Sequence, residues 1–257
     1  MPILPAKFSA FRMTPYIAIA FAVVLSACAQ APSDVSRSGI FDPYERQNRK
    51  VHRFNRNLDK ALVKPASTVY GTILPTEIQD SVAHFSENLS LPGQVINNVL
   101  QGDVAGAGNN TARFLVNTVL GIGGMFDVAS DFGMPIEKTG FGETLHVWGA
   151  KEGAYTELPF FGPSTQRDTA GIIVDIVLDP VALALPRPEK YITTGAYVAA
   201  RFGQRHKYTA TVDSILYESA DSYAQARTLY LQNRRYELSG KDDETDLEAY
   251  DDPYDDF

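Results

Sequence analysis

The chain has 257 residues, one cysteine and a formal net charge of −8. A lone cysteine excludes an internal disulfide and a cysteine-built metal centre, so stability is expected to come from a packed core. The acidity sits at one end: residues 241–257 carry nine acids against Lys241, which accounts for the whole excess, and no nucleic-acid partner is expected.

In chain order, residues 1–27 read as a lipoprotein signal peptide. Lys7 and Arg12 are its charges, an apolar run over 16–25 comes next, and Leu25-Ser26-Ala27-Cys28 has the apolar, small, small, cysteine order at which such a leader is cut. The run is shorter than the roughly 20 apolar residues that span a bilayer. Cys28 is the expected lipid anchor, and each buried methylene of its acyl chains contributes about 0.8 kcal/mol to membrane affinity. Ala29 and Gln30 come after it with no aspartate, which points to the outer membrane of a Gram-negative bacterium. Residues 28–41 form a tether, 42–238 the folded body, and 239–257 an acidic tail whose self-repulsion favours disorder.

The body opens with Asp42-Pro43-Tyr44-Glu45, read as a helix start with Asp42 as cap, Pro43 in the first turn and Glu45 closing a capping box. Tyr44, Val51, Phe54, Leu58 and Leu62 fall on one stripe, and Arg46, Arg49, Lys50, Arg53 and Arg56 lie beside it as a basic flank. Pro65 is expected to end this helix. A second begins near Pro75 with Ile78, Val82, Phe85 and Leu89, and Pro92-Gly93 is expected to interrupt it before an apolar piece over 95–100.

Residues 102–129 are the most unusual stretch. Gly102, Ala105, Gly106, Ala107 and Gly108 permit close helix approach, and residues 114–126 are apolar nearly all round. The expectation is a helix, a glycine break and a short apolar helix, with periodicity favouring core over lipid contact. Further on, Phe160-Phe161-Gly162-Pro163 reads as a turn, and Ser164 or Thr165 as the cap of a helix burying Ile172, Ile173, Ile176 and Val177. Pro180, Pro186 and Pro188 break the next stretch into short pieces, and a last helix is expected over 207–236. No period-2 run is long enough for a sheet, so the fold class is mostly α.

Chemistry-bearing patterns are sparse. His52, His84, His146 and His206 lie far apart and outside metal-ligand spacing, and no G-x-S-x-G elbow occurs. Gly121, Gly123 and Gly124 lack the lysine of a phosphate loop, and Asp175 and Asp179 are read as solvated or capping groups. No enzyme activity, cofactor or metal is expected. A hydrolase would need a nucleophile such as Ser164 or Ser214 assembled with a base by folding.

Several motifs occur together and in order: Asp42-Pro43 with Glu45, Asn48-Arg49 and Phe54-Asn55, then Leu100-Gln101-Gly102-Asp103, then Arg113-Phe114. Next come Asn117-Thr118-Val119-Leu120-Gly121-Ile122-Gly123-Gly124 and Phe126-Asp127, then Phe141-Gly142-Glu143-Thr144-Leu145, Trp148-Gly149, Tyr155, Leu158-Pro159, Gly162-Pro163-Ser164 and Arg167-Asp168. In this the body resembles the MlaA (VacJ) family of phospholipid-binding lipoproteins. It departs at His146, Lys151 and Ala154, where relatives commonly carry glycine and proline.

The resemblance implies a single ring-shaped helical domain embedded in one membrane leaflet, at the periplasmic face of the outer membrane, with an amphipathic channel through it. Mislocalised phospholipids of the outer leaflet would pass down the channel to a soluble periplasmic lipid carrier, maintaining lipid asymmetry, with a trimeric porin as membrane partner. On this reading Phe114, Leu115, Val119, Leu120, Ile122, Met125 and Phe126 contact lipid, and Arg49, Arg53 and Phe54 border the channel. The alternative is a structural lipoprotein that binds porins without moving lipid.

Overall fold

The computed structural model describes residues 39–239; the signal peptide, Cys28, most of the tether and the acidic tail from residue 240 lie outside the described residues. Helix α1 spans Glu45–Leu58. The backbone of Tyr44 starts it without a side-chain cap. Asp42, expected to cap it, instead accepts from Asn48 Nδ2 at 2.9 Å, from Arg227 Nη1 at 2.6 Å and from the Tyr223 hydroxyl. A charge-assisted bond to a largely buried arginine is stronger than a cap to exposed N–H groups.

Pro65 does not end the first helix. Asp59–Val63 form a π-turn that passes directly into α2, Lys64–Ile73, where Pro65 occupies the first turn and its missing N–H breaks nothing. Helix α3, Thr76–Gln101, likewise runs through Pro92. Packing against two neighbouring helices outweighs the roughly 3 kcal/mol that an interior proline costs. Gly102, at φ 75°, closes α3 in the left-handed conformation, and Asp103 caps α4, Val104–Val119, by accepting from Gly106 N at 2.8 Å. The small residues act as expected: a Cβ on Gly106 would lie 2.5 Å from Asn98 Nδ2 of α3.

After α4 the glycine break appears as a compact loop over 120–126, leading into α5, Val128–Asp131, rather than into an apolar helix. Then come α6, Phe141–Val147, and a two-stranded antiparallel hairpin, β1 Tyr155–Leu158 and β2 Gly162–Thr165, with Tyr155 opposite Thr165. The turn expected at 160–163 is present as the bend of this hairpin at 159–161, and what the hairpin corrects is the expectation of no sheet. Its strands have four residues each, too few for alternation to register, and an isolated pair tolerates Pro163 because no third strand needs its N–H.

Thr165 caps α7, Gln166–Val177, with Oγ1 accepting from Asp168 N at 3.2 Å. Asp179 caps α8, Pro180–Ala184. The single last helix expected over 207–236 is several pieces: α9 Tyr191–Lys207, α10 Thr209–Asp213, a second π-turn Ser214–Glu218 and α11 Ser222–Ser239. Extended backbone at Ser219 makes the break before α11. This interruption brings Asp213 and Tyr217 back onto Asp59 and its arginine, Arg205.

Pairwise packing closes on itself. Helix α1 lies on β1 and continues through the first π-turn into α2; α2 packs on α9, α9 on α3, α3 on α6, α6 on α7, and α7 on the hairpin that touches α1. The circuit is the ring the resemblance implies.

The interior is mostly polar. Among the described residues twenty buried side chains are polar or charged and ten are apolar, while 34 large apolar or aromatic side chains are exposed. A water-soluble domain has the opposite bias in its buried set. The apolar cluster found among the described residues is small: Tyr155, Tyr223 and Leu231, with Ile40 and Tyr230 against it. The expectation that a hydrophobic core holds the body is therefore corrected: hydrogen-bond and ion-pair networks fill much of the inside. Ile173, Ile176 and Val177, expected to be buried, face outward at 57–62% exposure, and α7 buries Arg167, Asp168 and Gly171 instead.

Candidate functional site

Helix α4 shows how the inversion arises. Its inward stripe is Asn110, Arg113 and Asn117, all buried. Arg113 Nη2 grips both oxygens of Asp127 at 2.8 and 2.9 Å, and its Nη1 donates to the Met134 carbonyl at 2.6 Å. Asn117 donates to Asp127 at 2.8 Å and accepts from Ala129 N at 2.8 Å. With the inner face committed to these bonds, the apolar residues must point away.

Leu115, Val119, Leu120, Ile122, Met125 and Phe126 are all exposed, at 73% for Val119, and Phe114 is half-buried. Periodicity alone favoured a core position; the buried polar stripe on the same helix decides against it. The loop packs closely on α3. Gly124 takes φ 92° and packs so closely on Asn88 that a Cβ would lie 2.4 Å from the Asn88 Cβ, and Asn88 Nδ2 donates to Thr118 Oγ1 at 3.0 Å. No described helix is long and apolar enough to cross a membrane.

The basic flank of α1 divides. Arg49 is clamped: Nε donates to Glu45 at 2.7 Å, the other two nitrogens reach Asp221 at 2.9 and 2.8 Å, and the guanidinium stands 4.6 Å over the Tyr223 ring. The Arg49 hydrogen bonds hold the Asp221 carboxyl down to about 2. Arg53 is exposed, and Phe54 meets Phe160 of the hairpin tip edge-on at 5.5 Å. The inward side of α1 carries Asn48 and His52. His52 lies 3.2 Å from Glu157 and 3.0 Å from Ser222, a structural pairing rather than a metal site.

Two hollows flank the first π-turn. One, of about 480 Å³, is lined by Arg56, Asn57, Lys60, Lys64, Asp213, Tyr217 and Glu218. The other, of about 490 Å³, is lined by Ala61, Leu62, Pro65, Ala66, Val69, Tyr70 and Phe202. Lys60 and Ala61 are chain neighbours, as are Lys64 and Pro65, so one wall separates a charged space from an apolar one. The hydrogen bond to Asp59 raises Arg205 further above its ordinary value, with Asp213 adding to it. Burial, then the Asp59 bond, raises the Tyr217 phenol. Sequence reasoning found neither hollow, because part of each lining arrives from residues 202–218.

The serines a hydrolase would need are engaged elsewhere: Ser164 lies buried against Thr165 and Thr169, and Ser214 donates to the Thr211 carbonyl. Asp179 caps α8, as read, and the exposed Asp175 accepts from Phe141 N at 3.0 Å, the first N–H of α6, and from Asn97 Nδ2 at 3.1 Å, in keeping with a solvated or capping group.

Residues 40–237 match the family model described as MlaA lipoprotein. The chain belongs to the MlaA lipoprotein family. It is 32% identical over 221 residues to the intermembrane phospholipid transport system lipoprotein MlaA of Shigella flexneri, covering 84% of this chain and 85% of that one. The protein of that name from Escherichia coli (strain K12) matches at the same identity and coverage. A solved chain reported under the structural basis for maintenance of bacterial outer membrane lipid asymmetry superposes with a TM-score of 0.64 at 27% identity, covering 77% of this chain and 98% of that one. Family membership and the MlaA-like helical fold thus stand on sequence and structure alike.

Proposed function

We propose that this MlaA-family protein moves phospholipid at the outer membrane, taking molecules mislocalised in the outer leaflet through an amphipathic passage and handing them to a soluble periplasmic carrier. The observation that carries the reading is the inverted distribution of polarity: a ring of helices with polar side chains inside and a continuous supply of large apolar ones outside. A lipid headgroup needs polar lining while its tails remain in hydrocarbon, and such a body supplies both without breaking a bond.

Anchoring through acylated Cys28 holds the ring at the periplasmic face of the membrane. Leu115, Val119, Leu120, Ile122, Met125 and Phe126, with Phe114 beside them, form the lipid-contacting rim. Arg53 and Phe54 border the passage, and Arg49 fixes α1 in place through Glu45 and Asp221. A trimeric porin is the membrane partner.

The test is transfer of labelled phospholipid from liposomes bearing the acylated protein to its soluble carrier. Protein-dependent transfer supports the reading. Porin binding without any transfer would replace it with a structural lipoprotein that moves no lipid.

A further inference from the structure

The charged hollow beside the first π-turn has an unequal lining. Lys64 donates to Asp213 at 2.6 Å, and Asp213 also accepts from Arg205 at 2.7 Å, so these charges are neutralised within the protein. Arg56, half-buried, and Lys60 and Glu218, exposed to solvent, line the same hollow, and no ion-pair partner for any of them is found among the described residues. The hollow they share is open to solvent on one side.

Two unmatched cations and one unmatched carboxylate form a pattern with a definite complement: an anion and a cation joined in one group. Inorganic phosphate or a purely anionic headgroup would satisfy Arg56 and Lys60 and meet Glu218 with like charge. A phosphodiester linked to a primary ammonium satisfies all three. The Asn57 amide adds a neutral donor to the same lining.

We infer that this hollow binds the headgroup of a zwitterionic aminophospholipid, with Arg56 and Lys60 on the phosphodiester and Glu218 on the ammonium, and that Glu218 sets a preference over lipids whose headgroup ends in an uncharged polyol. The inference deepens the phospholipid reading of the protein and rests on it. Glu218 lies at the end of the second π-turn, so the geometry that breaks the last helix also delivers the selecting carboxylate.

The experiment loads liposomes with equal amounts of labelled phosphatidylethanolamine and phosphatidylglycerol and reads the ratio of the two in the carrier. A second arm determines by mass spectrometry the same ratio among lipids that co-purify with the protein. Because each reading is a ratio within one sample, a general loss of protein cancels. The parent protein is expected to favour the ethanolamine lipid. Glu218→Gln should lower the ratio about threefold, the scale of one exposed ion pair, and Glu218→Lys should reverse it. A parent with no preference in either arm, or a ratio unchanged by both variants, overturns the inference. Absence of transfer with ethanolamine-lipid enrichment intact, and sensitive to Glu218, would overturn the transport reading and leave the headgroup site standing.

Discussion

Arg205 holds Asp59 through two parallel hydrogen bonds, Nε to Oδ1 at 2.9 Å and Nη2 to Oδ2 at 2.8 Å, across 146 residues of chain. The pair welds α9 to the π-turn between α1 and α2, and Tyr217 adds a bond to Asp59 at 2.7 Å. Removing Arg205 leaves the Asp59 carboxylate buried with only the Tyr217 hydroxyl and no opposite charge. Arg205→Met is therefore expected to cost about 3–5 kcal/mol, read as a fall in the unfolding midpoint in detergent. The double variant Asp59→Leu with Arg205→Met should recover a large part of that loss. A single variant as stable as the parent would show that the weld does not hold the ring together.

Helices α6 and α7 approach at their backbones. A Cβ on Gly171 would lie 2.3 Å from Gly142 N, which no rotamer change can relieve. Gly171→Ala should destabilise by about 1–3 kcal/mol through forced separation of the two helices. Gly195, in the middle of α9, has open space around it. Gly195→Ala should stabilise, by about 0.5–1 kcal/mol, from helix propensity alone. Thermal unfolding of the two variants side by side checks both signs.

Acid should weaken the contact between α7 and α11. Burial alone would push the Asp168 carboxyl up, but the hydrogen bonds and charge of Arg234, with Arg167 and Tyr230, outweigh it and hold Asp168 below its ordinary 3.8. A depressed folded value means that the stabilisation is complete above 3.8 and is lost as pH falls through the folded value. Asp175 has the opposite sign. Desolvation holds its carboxyl above 3.8, despite bonds from Phe141 N and Asn97, but the residue is exposed and solvent screens the effect, so it bears little on stability at neutral pH. Asp168→Asn should thus destabilise at pH ~7, with the difference shrinking in acid, while Asp175→Asn should change stability much less at either pH. Denaturant titrations of the three proteins at neutral pH and in acid read this directly; equal shifts of the same sign would contradict the assignment.

Leu120 is 57% exposed and has little folding energy to lose. Leu120→Asp should stay within about 0.5 kcal/mol of the parent in detergent, as exposed substitutions do, while phospholipid transfer falls to background. Normal transfer by this variant would take Leu120 out of the lipid-contacting rim.

Some of this protein was legible from its residues in order. Helical content came from apolar spacing and caps, as with Thr165 before α7, because capping and periodicity act over a single turn. The motif order from Asp42 to Asp168 pointed to the MlaA family, whose model matches residues 40–237. Three things depended on distant parts of the chain. Whether Pro65 and Pro92 end helices depended on the neighbours packed around them, since tertiary contacts outweigh one missing hydrogen bond. Which face of α4 is inside depended on Asp127 and Met134 arriving to bond Arg113; an apolar helix reads the same whether its surroundings are core or lipid. The charged hollow depended on Asp213, Tyr217 and Glu218 being returned to α1 by a broken helix. Local chemistry sets how a segment coils, whereas which of its faces is wet, dry or lipid-bound is set by long-range partners that loop closure alone brings into reach.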